Sequence, residues 1–386
     1  MQMIFPDYQS NSIANLMQSL AMARGGDVGL YQPLEGLDVQ TLGEARNLVL
    51  VVIDGLGYEY LSQHRDSCLY KHLYSKITTV APPTTAAAVT TFLTGLAPQQ
   101  HALTGWFTYL RELGSVVTVL PYILRAGGPQ LGQLNRPVDE LLNLPSFFDR
   151  LNVDTYSVMP DWLQASEFNS MVTGNAAFVP YEGYQRCFDE IGRLCRLPSK
   201  KYVHAYWPGF DSLAHEHGLA SDKVTSHFQE LDEAFEKLLI ELAGSDTLLL
   251  VCADHGFVDT LPETRLNLAD HPSLEECLQV PLCGEPRLAY CYVRYEKRNQ
   301  FESYMQQELS HVADMHISRK LVDKNLFGLG EPHPELLPRV GDYTLVMKDN
   351  YIMTGRLPGD APSKIVGHHG GLSGAEIYVP LVLANC

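Results

Sequence analysis

The chain is short of positive charge: 28 Lys and Arg stand against 45 Asp and Glu, a formal net charge of −17 at pH 7. Phosphate backbones are held by clustered Lys and Arg, so this balance excludes a general nucleic-acid binder. A small phosphate ester remains admissible if metal ions supply the local positive charge. Long apolar runs are missing too, none approaching the ~20 residues of a membrane span. The N-terminal MQMIFPDYQSNSIANLMQSLAMA has no cation before Arg24 and no continuous apolar core, unlike a secretory signal. A cytoplasmic protein without a membrane partner is the expectation. Low-complexity segments and internal repeats are absent. So is any CxxC pair: Cys68, Cys187, Cys195, Cys252, Cys277, Cys283, Cys291 and Cys386 are scattered, as buried free thiols are.

What is present is an ordered composition, 45% hydrophobic over 386 residues, enough for one large domain and a smaller insertion. After an irregular or short-helical lead-in at 1–45, strand-like and helical segments alternate. Apolar runs at 47–53, 116–121, 201–206 and 247–253 have the length of strands buried on both faces. Between 222 and 243, Val224, Phe228, Leu231, Phe235, Leu238 and Leu242 recur at three- and four-residue steps. That spacing predicts an amphipathic helix, with Ser221 as N-cap and Gly244 just past its end. The pattern predicts an α/β fold: a mostly parallel central sheet flanked by helices, which binds ligands beyond the carboxyl ends of its strands. The catalytic core is expected at 46–260. A change of character at 261–365 suggests an inserted α+β lobe, with LAYCYVR at 288–294, a helix from Asn299 to His311, the run Asp342–Met347 and a Pro/Gly-rich return at 357–362. Residues 366–386 rejoin the core, with a last strand at Val379–Leu383.

Several Asp and His residues fall at the predicted strand ends or in the loops after them. Asp54 closes the run NLVLVVID and opens the turn Asp-Gly-Leu-Gly. Asp254-His255 closes LLLVCADH. Asp211 and His215 are spaced i, i+4, which brings them to one face if that stretch is helical, with His217 a competing imidazole. His368-His369-Gly370-Gly371 offers one more imidazole, and either histidine can serve. Asp270-His271 has the form of a site pair but follows no apolar strand, so it reads as a loop or helix start. Mixed Asp and His suit zinc or manganese better than calcium, which prefers all oxygen. Thr84 and Thr85 follow two prolines and precede a helical run ending at Gly95. A threonine in a first helical turn sits where free N–H groups favour an alkoxide or a phosphoryl oxygen, and Ala86-Ala87-Ala88 are expected to leave open space above the helix end. Each motif alone also has an ordinary explanation: a turn aspartate, a capping threonine, a surface Asp–His hydrogen bond.

Taken in order, Asp-Gly, Pro-x-Thr-Thr…Thr-Gly-x-x-Pro-x-x-His, Asp-x-x-x-His-x-x-Gly, Asp-His-Gly and x-His-Gly span residues 46–383. The set resembles the alkaline phosphatase superfamily, in its nucleotide pyrophosphatase/phosphodiesterase branch. The resemblance implies two divalent metal ions, zinc or alternatively manganese, bridged by a threonine nucleophile. Asp54, Thr85, Asp254 and His255 would hold one ion; Asp211, His215 and His369 would hold the other. It thereby selects Thr85 over Thr84, His215 over His217 and His369 over His368. The implied reaction cleaves a phosphodiester or pyrophosphate bond of a nucleotide or similar small ester through a covalent phosphothreonine. Position 88, where the branch usually carries asparagine, is alanine, and His101-Ala102 replaces the usual His-Gly. A phosphomonoesterase, phosphonate hydrolase or phosphomutase on the same scaffold is the rival, although no Lys or Arg lies between Ile77 and Leu110 to hold a dianion. A non-catalytic binding module is the more distant alternative.

Overall fold

The runs Asn47–Ile53, Lys201–Trp207 and Thr247–Cys252 form three adjacent parallel strands in the middle of a seven-stranded sheet. Every residue of the first and third is buried, because helices cover both faces. The computed structural model describes residues 3–27, 29–355, 357 and 365–386. From edge to edge the sheet runs Leu73–Thr78, Tyr378–Asn385, Thr247–Cys252, Asn47–Ile53, Lys201–Trp207, Asp154–Pro160 and Ala177–Tyr181. Only Tyr378–Asn385 opposes its neighbours, so the sheet is mostly parallel.

The helix expected at 222–243 spans Asp222–Leu242 and buries all six residues of its apolar stripe. Burying each such side chain stabilises the fold by about 1.5–3 kcal/mol. Its N-terminus is capped by Ser221, whose Oγ accepts from the Val224 N–H at 3.3 Å. Within the lead-in, Ile13–Ala23 is an almost fully buried helix, and its side chains join the principal core with those of the Thr85–Thr94 helix.

A second seven-stranded sheet is antiparallel throughout: Ala313–Ile317, Tyr343–Met347, Leu288–Cys291, Cys283–Glu285, Phe107–Leu110, Ser115–Thr118, Ile123–Leu124. Here the structure departs from the expected strand at 116–121. Ser115–Thr118 pairs with Phe107–Leu110 in a hairpin of this second sheet. The cause is chain length: only residues 111–114 separate the two strands, whereas a parallel crossover needs a dozen or more. Strands from 107–124 and from 283–347 therefore share one sheet, with hydrophobic clusters around Phe301 and Leu345 and around Leu288 and Tyr290. The helix expected from Asn299 spans Arg298–Glu308. Of the Pro/Gly-rich return at 357–362, all but Leu357 lies outside the described residues. A two-stranded ribbon, Val258–Asp259 with Gly367–His368, brings the C-terminal segment back beside the central sheet.

All eight cysteines are free thiols, six of them buried. Among the described residues, no helix is long and apolar enough to cross a membrane.

Candidate active site

Asp54 follows the strand Asn47–Ile53, and Asp254-His255 follows Thr247–Cys252. Asp211 lies in the first turn of the helix Gly209–His217, directly after Lys201–Trp207. These strands are parallel neighbours, so their carboxyl ends open onto one crevice. Thr85 opens the helix Thr85–Thr94 beside it. Thr84 is the extended N-cap residue, and its Oγ1 donates to Glu285 Oε1 at 2.6 Å instead of capping its own helix. Thr85 Oγ1 lies 3.2 Å from His255 Nε2.

The seven side chains singled out in the sequence all meet in this crevice, in two groups. Around His255 Nε2 lie Thr85 Oγ1 at 3.2 Å, Asp54 Oδ1 at 3.3 Å and Asp254 Oδ2 at 3.5 Å. Around His215 Nε2 lie His369 Nε2 at 3.2 Å and Asp211 Oδ1 at 3.4 Å. The groups adjoin: Asp211 Oδ1 is 3.9 Å from His255 Nε2, and the His255 and His369 rings stack with centroids 3.7 Å apart. By distance alone, Asp211, His255 and His369 also form a trio. His215 is the better third member, because its Nε2 approaches both Asp211 and His369 more closely than His255 Nε2 approaches Asp211.

The donor set fits divalent cations. Ligands about 2.0–2.1 Å from a tetrahedral ion lie ~3.3 Å from one another; His255 Nε2 stands 3.2 to 3.5 Å from its three neighbours, and within the second group the spacings are 3.2, 3.4 and, between His369 Nε2 and Asp211 Oδ1, 3.8 Å. Every imidazole turns Nδ1 onto a backbone carbonyl: His215 onto Gly367 at 2.8 Å, His255 onto Gly256 at 3.2 Å, His369 onto Pro83 at 3.2 Å. A donated Nδ1–H leaves each Nε2 lone pair facing inward, the tautomer a metal ligand needs. Asp54 Oδ1, Asp211 Oδ1 and Asp254 Oδ2 are buried without a hydrogen-bond partner among the described residues.

Burial pushes the Asp54 and Asp254 carboxyls well above the usual carboxylate range, with repulsion from Asp211 adding to the shift at Asp54 and repulsion from Asp54 adding to it at Asp254. Burial lifts Asp211 to about 7, with His255 opposing the shift and Asp254 adding to it. Burial likewise pushes the His215 and His369 imidazoles down, toward their neutral forms. Protein groups alone thus disfavour charge here, and a divalent cation would reverse the preference of the carboxyls.

The competing candidates lie elsewhere. His217 Nε2 faces Lys223 Nζ at 3.1 Å. His368 Nδ1 approaches Thr260 Oγ1 at 3.2 Å. Asp270-His271 ends a 3₁₀ turn and precedes a short helix, where His271 meets the Tyr304 hydroxyl at 2.9 Å. His101 is buried, its Nδ1 accepting from the Leu103 N–H at 3.0 Å, and burial lowers its pKa to about 3.

Three contributors escaped sequence reasoning. The Tyr206 hydroxyl donates to Asp54 Oδ2, and the Thr79 hydroxyl to the Asp254 carbonyl. Glu285, from the second sheet, accepts from Thr84 and from the Trp106 N–H at 2.6 Å. Tyr206 is the penultimate residue of Lys201–Trp207, a strand adjacent to Asp54's, a signal the strand-end rule could have caught. Glu285 carries no local signal. The three alanines also differ from expectation: Ala86, Ala87 and Ala88 are fully buried, because the face of their helix toward the site is Thr85, Val89 and Leu93. Those three side chains line a cavity of about 600 Å³ running from Asp54 and Asp211 past Trp106, Met159, Trp162 and Phe168. Its described lining is largely apolar and holds no Lys or Arg.

A mostly parallel sheet with acidic and imidazole groups gathered at its carboxyl edge is the class that fold and site define. The sequence matches the family model "Type I phosphodiesterase / nucleotide pyrophosphatase" over residues 48–372, and the chain belongs to that family, within the alkaline phosphatase superfamily. Its fold is similar to that of murine ectonucleotide pyrophosphatase/phosphodiesterase 5, solved as an inactive variant in complex with AMP: TM-score 0.62, 14% identity, covering 86% of this chain and 87% of that one. It is also similar to that of phosphonoacetate hydrolase from Sinorhizobium meliloti 1021 in complex with phosphonoformate: TM-score 0.63, 18% identity, covering 88% and 90%. No curated protein matches the sequence.

Proposed function

We propose that the chain is a two-metal phosphodiesterase that cleaves phosphodiester or pyrophosphate bonds of nucleotides or similar small esters, with Thr85 as nucleophile. The observation that carries this reading is the position of Thr85 Oγ1, at the mouth of a helix and 3.2 Å from His255 Nε2, with five further Asp and His ligands facing it. Asp54, Thr85, Asp254 and His255 would hold one ion, and Asp211, His215 and His369 the other. Zinc suits this donor set, with manganese the alternative. Bound cations would supply two things there, a lowered pKa for the Thr85 hydroxyl and neutralising charge for the phosphoryl oxygens.

The chain's own residues account for the rest. Thr85 gives up its hydroxyl proton to solvent and its Oγ1 attacks phosphorus in line; the Oγ1–P bond forms as the bond to the leaving oxygen breaks, that oxygen taking a proton from water, and water then hydrolyses the phosphothreonine. The free N–H groups of the helix's first turn face the phosphoryl oxygens. Tyr206 holds Asp54 in place through its hydroxyl. The largely apolar cavity beside Thr85 suits an uncharged organic group on the ester and supports a diester over a monoester dianion. Phosphonate hydrolysis is the second reading, favoured by the similarity to phosphonoacetate hydrolase. A carboxylate-bearing phosphonate would find no cationic side chain among the described lining residues.

Diester, monoester and phosphonate substrates assayed side by side, with elemental analysis of the active protein, test the proposal. Two divalent ions per chain and a diester preference are expected. A monoester or phosphonate turned over tenfold better, about 1.4 kcal/mol in transition-state preference, would move the enzyme to the second class. A chiral phosphorothioate diester should be hydrolysed with retention, since two displacements occur; inversion would replace Thr85 with direct attack by water.

A further inference from the structure

Arg287 and Glu376 form a bidentate pair, Nε to Oε1 at 3.0 Å and Nη2 to Oε2 at 2.9 Å, with both residues at 0% exposure. The pair joins the two halves of the molecule. Arg287 sits in the turn between the strands Cys283–Glu285 and Leu288–Cys291 of the second sheet. Glu376 lies just before the central-sheet strand Tyr378–Asn385. Arg287 Nη1 donates to the carbonyls of Asp349 at 2.7 Å and Tyr351 at 2.8 Å.

Glu376 also grips both histidine loops. Its Oε1 accepts from the Gly371 N–H at 2.7 Å, two residues beyond His369, and its Oε2 from the Ser373 hydroxyl at 2.6 Å. Its backbone carbonyl accepts from the Gly256 N–H at 2.9 Å, one residue beyond His255. The motif glycines are what let these loops approach. A Cβ on Gly371 would lie 2.8 Å from Glu376 Oε2, and one on Gly256 would lie 1.9 Å from the Ala375 carbonyl oxygen. Isolated buried ion pairs are seldom retained for stability, since desolvation offsets most of their attraction. This one lies behind the loops that carry the stacked His255 and His369.

We propose that the Arg287–Glu376 pair is a positioning element that holds the His369 loop against the His255 turn and so sets the spacing of the two ligand groups. The inference rests on the two-metal reading above. Removing a group that orients a ligand weakens metal binding by about 10–100-fold.

Calorimetric titration of metal-stripped protein with zinc, with circular dichroism as a fold control, tests it. Glu376→Gln is expected to weaken one of two binding events by about tenfold or more, and excess zinc is expected to restore its turnover. Ser373→Ala removes only one hydrogen bond to Glu376 and should weaken the same event less; it carries the test if Glu376→Gln does not fold. Two unchanged affinities in whichever variant folds would overturn the positioning role, leaving the pair a tie between sheets. Wild-type protein that binds no zinc or manganese would overturn the two-metal reading itself, and the positioning role with it.

Discussion

The two seven-stranded sheets divide the work unequally. From the ends of the parallel sheet come Asp54, Asp211 and Asp254-His255, all within a few residues of strands buried by helices on both faces. From the antiparallel sheet comes none of the seven candidate ligands. It contributes Glu285 beside the Thr85–Thr94 helix, Arg287 behind the histidine loops, and, next to its hairpin, Trp106 and Ile123 in the cavity wall. The difference teaches that candidate ligands gather where the strand ends of one layer converge on one edge, while the second layer closes and braces the crevice.

Substitutions that break this division should fall in a graded order. The largest effect is expected from Thr85→Ala: activity down by roughly a thousandfold or more, about 4 kcal/mol in the barrier, with both metals retained because Asp54, Asp254 and His255 remain for one ion and Asp211, His215 and His369 for the other. If Thr85 were only a first-turn residue of its helix, stability would change by about 1 kcal/mol or less with turnover intact. Single-turnover assays and thermal melts on one preparation separate these outcomes.

Next come the ligands from strand ends and returning loops. Asp211→Ala and His369→Ala should each cut kcat at least about a hundredfold, ~2.7 kcal/mol, and remove one metal by elemental analysis. His217→Ala and His368→Ala, whose rings face Lys223 and Thr260, should stay within roughly threefold, under ~1 kcal/mol. A reversed ranking at 368 and 369 would reassign the imidazole.

On the bracing side, Trp106→Ala should raise KM for diesters with a bulky aromatic group by roughly tenfold, since aromatic contacts contribute about 0.5–1.5 kcal/mol beyond area burial. Dimethyl phosphate, too small to fill the cavity, should be turned over as before. A drop in kcat for both substrates would give the second layer a chemical part and erase the contrast.

The smallest effect lies within the parallel sheet and away from the chemistry. His204 is buried beside Phe92 and Phe148, and burial lowers its pKa to about 3. Below the unfolded value, about 6.5, the unfolded chain takes a proton that the folded one refuses. Stability therefore falls as pH drops from about 6.5 toward 3. His204→Leu should flatten that part of the acid limb in urea melts while kcat at neutral pH is unchanged.

Legibility in the sequence followed the same division. Parallel strands buried on both faces must be apolar at nearly every position, so Asn47–Ile53 and Thr247–Cys252 announce themselves and their trailing Asp and His can be named in advance. Strands of the second sheet are short and paired across the chain: Gly284 pairs with Phe107, which lies 177 positions earlier. No local pattern records such a partnership, which is why 116–121 resembled another central strand and why Glu285 and Arg287 went unassigned.

Local chemistry by itself therefore determined the central strands, the helix at Asp222–Leu242, the Thr-Thr helix start and the supply of carboxylates and imidazoles, because periodicity, capping and residue type act over a few positions. Residue chemistry left open which of two neighbouring threonines or histidines faces the crevice, a choice that the family resemblance made and that the tertiary structure bears on directly, and only the tertiary structure decided that a distant arginine and glutamate share one buried pair. Those outcomes depend on the direction of a side chain and on loops meeting across hundreds of residues, and neither is written in the spacing of a motif.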